Sequence, residues 1–147
     1  NRFTQQKKHG LNIFRNHCAS CHTEPLFTNK EFHNNGLTLD PYLKDFGRML
    51  ITNKSEDSLK FKVPTLRNIQ FTPPYMHDGR FETLKAVITH YNSGITHSIT
   101  LAEDLKNNLG LTHKEEVDLL VFLRTLTDTD FLFNKRFSYP FNNQTIP

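Results

Sequence analysis

The chain has 147 residues, enough for one domain with a hydrophobic core and too few for two independent ones. Its 18 basic and 15 acidic residues are mixed along the sequence for a net charge of +3, without the basic block of a nucleic-acid binder, and no apolar run approaches the ~20 residues that a membrane span requires. Thirteen Phe and four Tyr with no Trp make an aromatic-rich interior, as suited to walls around a large flat apolar ligand as to an ordinary core.

The chain starts at Asn1 without Met, signal peptide or transit sequence, and so reads as a mature or trimmed product. Residues 4–17 form the first expected helix, amphipathic, with Thr4 as N-cap and Leu11 and Phe14 on one face. Residues 23–62 hold Gly, Pro, Asn and Asp with scattered aromatics (Phe27, Phe32, Tyr42, Phe46) and no sustained period, so a long irregular segment that packs against something is expected. Pro64, Pro73 and Pro74 exclude an uninterrupted helix through "FKVPTLRNIQFTPPYMHDGRF". Residues 81–92 are helical by phase, with Phe81, Leu84, Val87, Ile88 and Tyr91 on one face and Gly94 just beyond the end. Thr100 with Glu103 and Thr112 with Glu115 read as capping boxes, which start short helices near Leu101 and His113. The second of these carries Leu119, Leu120, Val121, Phe122 and Leu123 and should be deeply packed. The tail, 128–147, has no helical period and is expected to lie extended on the surface.

The only two cysteines, Cys18 and Cys21, are spaced C-x-x-C, with His22 directly after the second. A closed structural zinc site needs four ligands, and no third cysteine is present. A thioredoxin-like dithiol belongs between a strand and a helix, whereas the regular segments here are all helical. Covalent haem fits: two thiols at the end of a helix each add to one vinyl group of the porphyrin, and His22 then stands below the ring as the proximal iron ligand. One haem c is expected. The expected fold class is all-α, a cytochrome c-like haem domain with long irregular loops wrapping the haem. Gly10, four residues before Phe14, would let the first helix cross the last closely near Phe122 and Leu123; the alternative is a tolerated surface glycine.

The stretch "VPTLRNIQFTPPYMHDGRFETLKAVITHYNSG", with "CASCHTEPLFTN", "FHNNGL" and "DLLVFLRTLTD", closely resembles the C-terminal haem domain of the bacterial dihaem cytochrome c peroxidase and MauG family over nearly the whole chain. The resemblance implies a periplasmic electron-transfer domain. It would accept electrons from a small cytochrome c or cupredoxin donor and relay them to an N-terminal domain whose peroxidatic haem reduces hydrogen peroxide. A free-standing monohaem carrier, and a MauG-like enzyme that oxidises a protein side chain, are the alternatives.

The resemblance also bears on single residues. The peroxidases place a methionine on the helix after the PYxHDG-like element and MauG has a tyrosine at the matching place, here Tyr91; Met76 in the loop competes as the sixth iron ligand, with His90, His77 or an open site behind them. Arg67 is either a haem-propionate partner or a surface arginine. The family's interdomain calcium, held partly by backbone carbonyls, corresponds to Thr72 and Pro74. His77 and Asp78 look catalytic by type, although Asp78 could equally cap the following helix.

Overall fold

The computed structural model describes residues 3–138. Helix α1 spans Gln5–His17, and the Thr4 hydroxyl accepts from the Lys7 amide as its N-cap. It crosses α4, His113–Arg124, whose start carries the full reciprocal box between Thr112 and Glu115. At the crossing a Cβ on Gly10 would lie 2.0 Å from the Asp118 carbonyl oxygen and 2.8 Å from Phe122 Cβ, so only glycine allows this approach. The same contact is locked by His9, whose Nδ1 meets the buried Asp118 carboxylate at 2.8 Å. Phe14, fully buried, packs its ring 5.1 Å from Phe122 and 5.6 Å from Phe27, edge-on to the latter. Ile13, Leu66, Ile88, Leu111, Leu119 and Leu123 complete the core around them. Leu120 and Val121 are only partly buried, so α4 buries one face and not its whole second half.

Helix α3, Leu84–Ser93, begins three residues later than the apolar phase predicts. Thr83 takes the cap by accepting from the Ala86 amide, while Phe81 pairs with Tyr75 across an isolated bridge. Asp78 therefore caps nothing: its carboxylate holds Arg80, with Nε at 2.8 Å. The expected capping box at Thr100 is absent because that hydroxyl is already engaged, accepting from Asn34 Nδ2 and donating to the Ser58 carbonyl. Only a 3₁₀ turn, Glu103–Leu105, follows it.

The segment 23–62 is mostly irregular. It holds the short α2, Met49–Thr52, and two-residue strands β1, Phe32–His33, and β2, Phe61–Lys62, paired antiparallel with Phe32 opposite Lys62. That ribbon is the departure from an all-helical chain among the described residues. The tail is not wholly extended either. Asp128, its amide held by Asn68 Oδ1 at 2.6 Å, caps one further turn, α5, Thr129–Leu132. Residues 139–147 of the expected tail lie outside the described residues. No helix among those described is long and apolar enough to cross a membrane.

Candidate haem site

Helix α1 ends at Cys18, whose amide donates to the Phe14 carbonyl at 2.8 Å, and the chain turns at once so that the His22 amide reaches back to the Cys18 carbonyl. The turn rests on a short shelf, residues 23–29, pinned from below. Thr28 Oγ1 donates to the Val63 carbonyl at 2.7 Å, Thr65 Oγ1 to the Leu26 carbonyl at 2.6 Å, and Asn29 Nδ2 to the Ser20 carbonyl at 3.3 Å. On that shelf Phe27 adopts a left-handed φ of 54°, which aims its carbonyl at the His22 ring, 3.0 Å from Nδ1. The carbonyl can only accept, so Nδ1 carries the proton and Nε2 keeps its lone pair for a metal. Burial depresses the His22 pKa, which keeps the imidazole in the neutral form that ligation requires.

Cys18, Cys21 and His22 line one side of an apolar cavity of about 410 Å³. Leu84, Val87, Ile88 and Tyr91 from α3, and Leu119 and Leu123 from α4, supply further wall, as does the 61–77 segment through Phe61, Leu66, Thr72, Pro74, Met76 and His77. The cavity has the broad aliphatic and aromatic wall that a porphyrin requires, with polar side chains such as His33, Lys62 and Asp104 also on its lining. Neither cysteine is in a disulfide. Burial pushes the Cys18 thiol up to about 12 and raises Cys21 as well, so both stay protonated at neutral pH. That state opposes a redox dithiol or a nucleophile, which depends on the thiolate. Among the described residues no group of three or more His, Cys, Asp or Glu side chains is gathered to hold a bare metal ion. Two thiols and one oriented neutral imidazole in an apolar cavity therefore fit haem c.

Tyr91 and Met76 both line this cavity. Burial pushes the Tyr91 phenol up to about 12, with a hydrogen bond from Asn35 acting in the opposite direction. The phenol is thus neutral without a metal, and a bound cation would reverse that preference. Met76 stands at φ 73°, and its Sδ accepts from Asn35 Nδ2 at 3.5 Å. His77 stacks on Phe61 with ring centroids 3.6 Å apart. His90 is turned to the Asn35 carbonyl, 2.9 Å from Nε2. Arg67 lies outside the cavity wall, exposed, with its guanidinium 3.9 Å from Asp128. Two contributors were missed in the sequence. Phe27 gave no sign beyond being a scattered aromatic, and Asn35 sits in an aperiodic loop where no spacing rule applies.

Comparison with known proteins finds relatives over most of the chain. The chain is 33% identical over 129 residues to the methylamine utilization protein MauG of Methylophilus methylotrophus, covering 84% of this chain and 37% of that protein. It is 33% identical over 149 residues to the cytochrome c551 peroxidase of Nitrosomonas europaea, covering 99% of this chain and 41% of that one. The chain belongs to the dihaem cytochrome c peroxidase and MauG family. A crystal structure of a MauG-like protein associated with microbial copper homeostasis superposes with a TM-score of 0.77 at 32% identity, over 95% of this chain and 52% of that one. The dihaem peroxidase BthA of Burkholderia thailandensis shares the fold, with a TM-score of 0.67 at 23% identity over 89% of this chain and 44% of that one. No family model matches. The chain spans less than half the length of these curated peroxidase and MauG relatives.

Proposed function

We propose that this chain is the electron-transfer haem domain of a periplasmic dihaem peroxidase. It takes electrons from a small cytochrome c or cupredoxin donor and serves an N-terminal domain where hydrogen peroxide is reduced. The observation that carries the reading is the junction of Cys18, Cys21 and a tautomer-fixed His22 with Tyr91 in one apolar cavity. Cys18 and Cys21 would anchor one haem c through thioethers, and His22 would bind its iron through Nε2. Bound there, haem c supplies a centre that stores and passes on one electron. The chain's own residues do the rest. Phe27 orients the imidazole through its carbonyl, and the aliphatic faces of α3 and α4 supply apolar wall.

Tyr91 would be the second residue to hold the iron. It shares the inward face of α3 with Leu84, Val87 and Ile88, which all line the cavity. Tyr91 also favours a second reading, in which the parent enzyme is MauG-like and oxidises a protein side chain, because phenolate ligation lowers the potential where a thioether raises it. The backbone carbonyls of Thr72 and Pro74 are proposed to contribute to a calcium site shared with the second domain.

The test of the site is the mass of protein matured in a periplasm with haem-attachment machinery. One haem increment that survives acid acetone, with the pyridine haemochrome spectrum of a doubly thioether-linked haem, is expected. An unmodified mass under those conditions would refute the reading.

A further inference from the structure

Asn35 touches both candidates for the second axial position and is held too firmly to be incidental. Its neighbour Asn34, 1% exposed, donates from Nδ2 to Ser98 Oγ at 3.0 Å and to Thr100 Oγ1 at 2.9 Å, and its Oδ1 accepts from the Gly36 amide at 2.9 Å. The Asn34 carbonyl accepts from the Ala102 amide, and the Gly36 carbonyl from the Thr96 amide. Gly36 has φ +73°, and a Cβ there would come within 2.6 Å of Ile95 Cγ2. Asn35 is therefore clamped on both sides by the 95–102 segment, and its own carbonyl accepts from His90, the residue preceding Tyr91 on α3. Clamped so, its carboxamide faces the cavity and donates to Met76 Sδ at 3.5 Å.

A thioether ligates iron through a sulfur lone pair and is otherwise only a weak acceptor. An N–H held against that sulfur occupies one of its two lone pairs and so fixes which way the other faces. We propose that Asn35 is the positioning residue of the second axial place: its carboxamide engages the Met76 sulfur and leaves the iron to Tyr91. This rests on the reading that Tyr91 is the ligand. The His90 contact adds to it, tying the same backbone to the helix that carries Tyr91, so that Asn35 sets the relation between α3 and the Met76 loop.

The test uses the haem-loaded chain and reads the ferric absorption spectrum and the midpoint potential. Asn35→Leu removes the donor and frees the sulfur; Asn35→Ala does the same in a smaller side chain, should the larger one disturb packing. Either variant is expected to gain the far-red charge-transfer band of thioether ligation and to shift its potential upward. Adding Met76→Leu to the same variant should abolish the band, a dependence that mere loosening of the loop would not produce. Tyr91→Phe in the otherwise native chain tests the underlying assignment separately and should change the ferric spectrum. If Tyr91→Phe changes the spectrum while both Asn35 variants match the native chain in spectrum and potential, the role of Asn35 is refuted and the ligand assignment stands. If Tyr91→Phe leaves the spectrum unchanged, the ligand assignment falls, and the role of Asn35 with it.

Discussion

Gly10→Ala is a demanding test of the α1–α4 crossing because two known effects oppose each other there. In a helix interior Ala is favoured over Gly by about 1 kcal/mol, so on propensity alone the variant is stabilised. The new Cβ, however, would stand 2.0 Å from the Asp118 carbonyl oxygen, 2.7 Å from its carbonyl carbon and 2.8 Å from Phe122 Cβ, where real Cβ atoms essentially never approach within 3.0 Å. Two of those three atoms are backbone, so no rotamer change relieves the contact and α1 must withdraw from α4 by about 1.0 Å. Overpacking of this kind costs about 1–3 kcal/mol, and the backbone clash puts this site toward the upper end. The net effect is then a destabilisation of about 1–2 kcal/mol, or about 3–8 °C in Tm for a chain of this size. Thermal unfolding followed by circular dichroism, with Asn12→Ala on the exposed face of α1 as the reference, measures it. A Gly10→Ala chain as stable as native or more so would refute the close crossing. Because Cys18 is the residue that ends α1, the same displacement should also lower the yield of covalently attached haem.

Two further outcomes are expected, the first from the structure and the second from the proposed function. Hydrogen bonds from His9 first and Gln6 second hold the Asp118 carboxyl below the usual carboxylate range. A group with a depressed folded pKa stabilises above its unfolded value of about 4 and loses that contribution as pH falls through the folded one. Asp118→Asn should therefore lower Tm at pH 6 and converge with the native chain below about pH 4; a deficit that persists unchanged into acid would count against the pair. The isolated chain should accept electrons readily and yet reduce hydrogen peroxide poorly with a small cytochrome donor, as stopped-flow and steady-state assays can show. Robust saturable turnover by the 147-residue chain alone would overturn the proposed division of labour.

Local chemistry made much of this protein legible before any fold was known. Thr4 and Thr112 cap their helices because a hydroxyl and a main-chain amide a few residues apart need no tertiary partner. The gathering of Cys18, Cys21 and His22 on one cavity was legible for the same reason, since three side chains within five residues share a place in space. The inward phase of Tyr91 also survives, although its helix starts later than the apolar pattern suggests. Where the sequence misled, a distant partner had taken the group concerned. The Thr100 hydroxyl satisfies Asn34 and Ser58 instead of a helix start, and Asp78 serves Arg80. Arg67 stands exposed beside Asp128, as the surface-arginine alternative has it. Phe27 and Asn35 act through a main-chain carbonyl and a clamped carboxamide, whose aim depends on hydrogen bonds to residues as far off as Thr100, and no spacing in a loop encodes such an aim. Composition and periodicity decide which residues are helical, buried or ligand-competent; only the assembled chain decides which polar group reaches which partner, because hydrogen bonds are directional and hydrophobic burial is not.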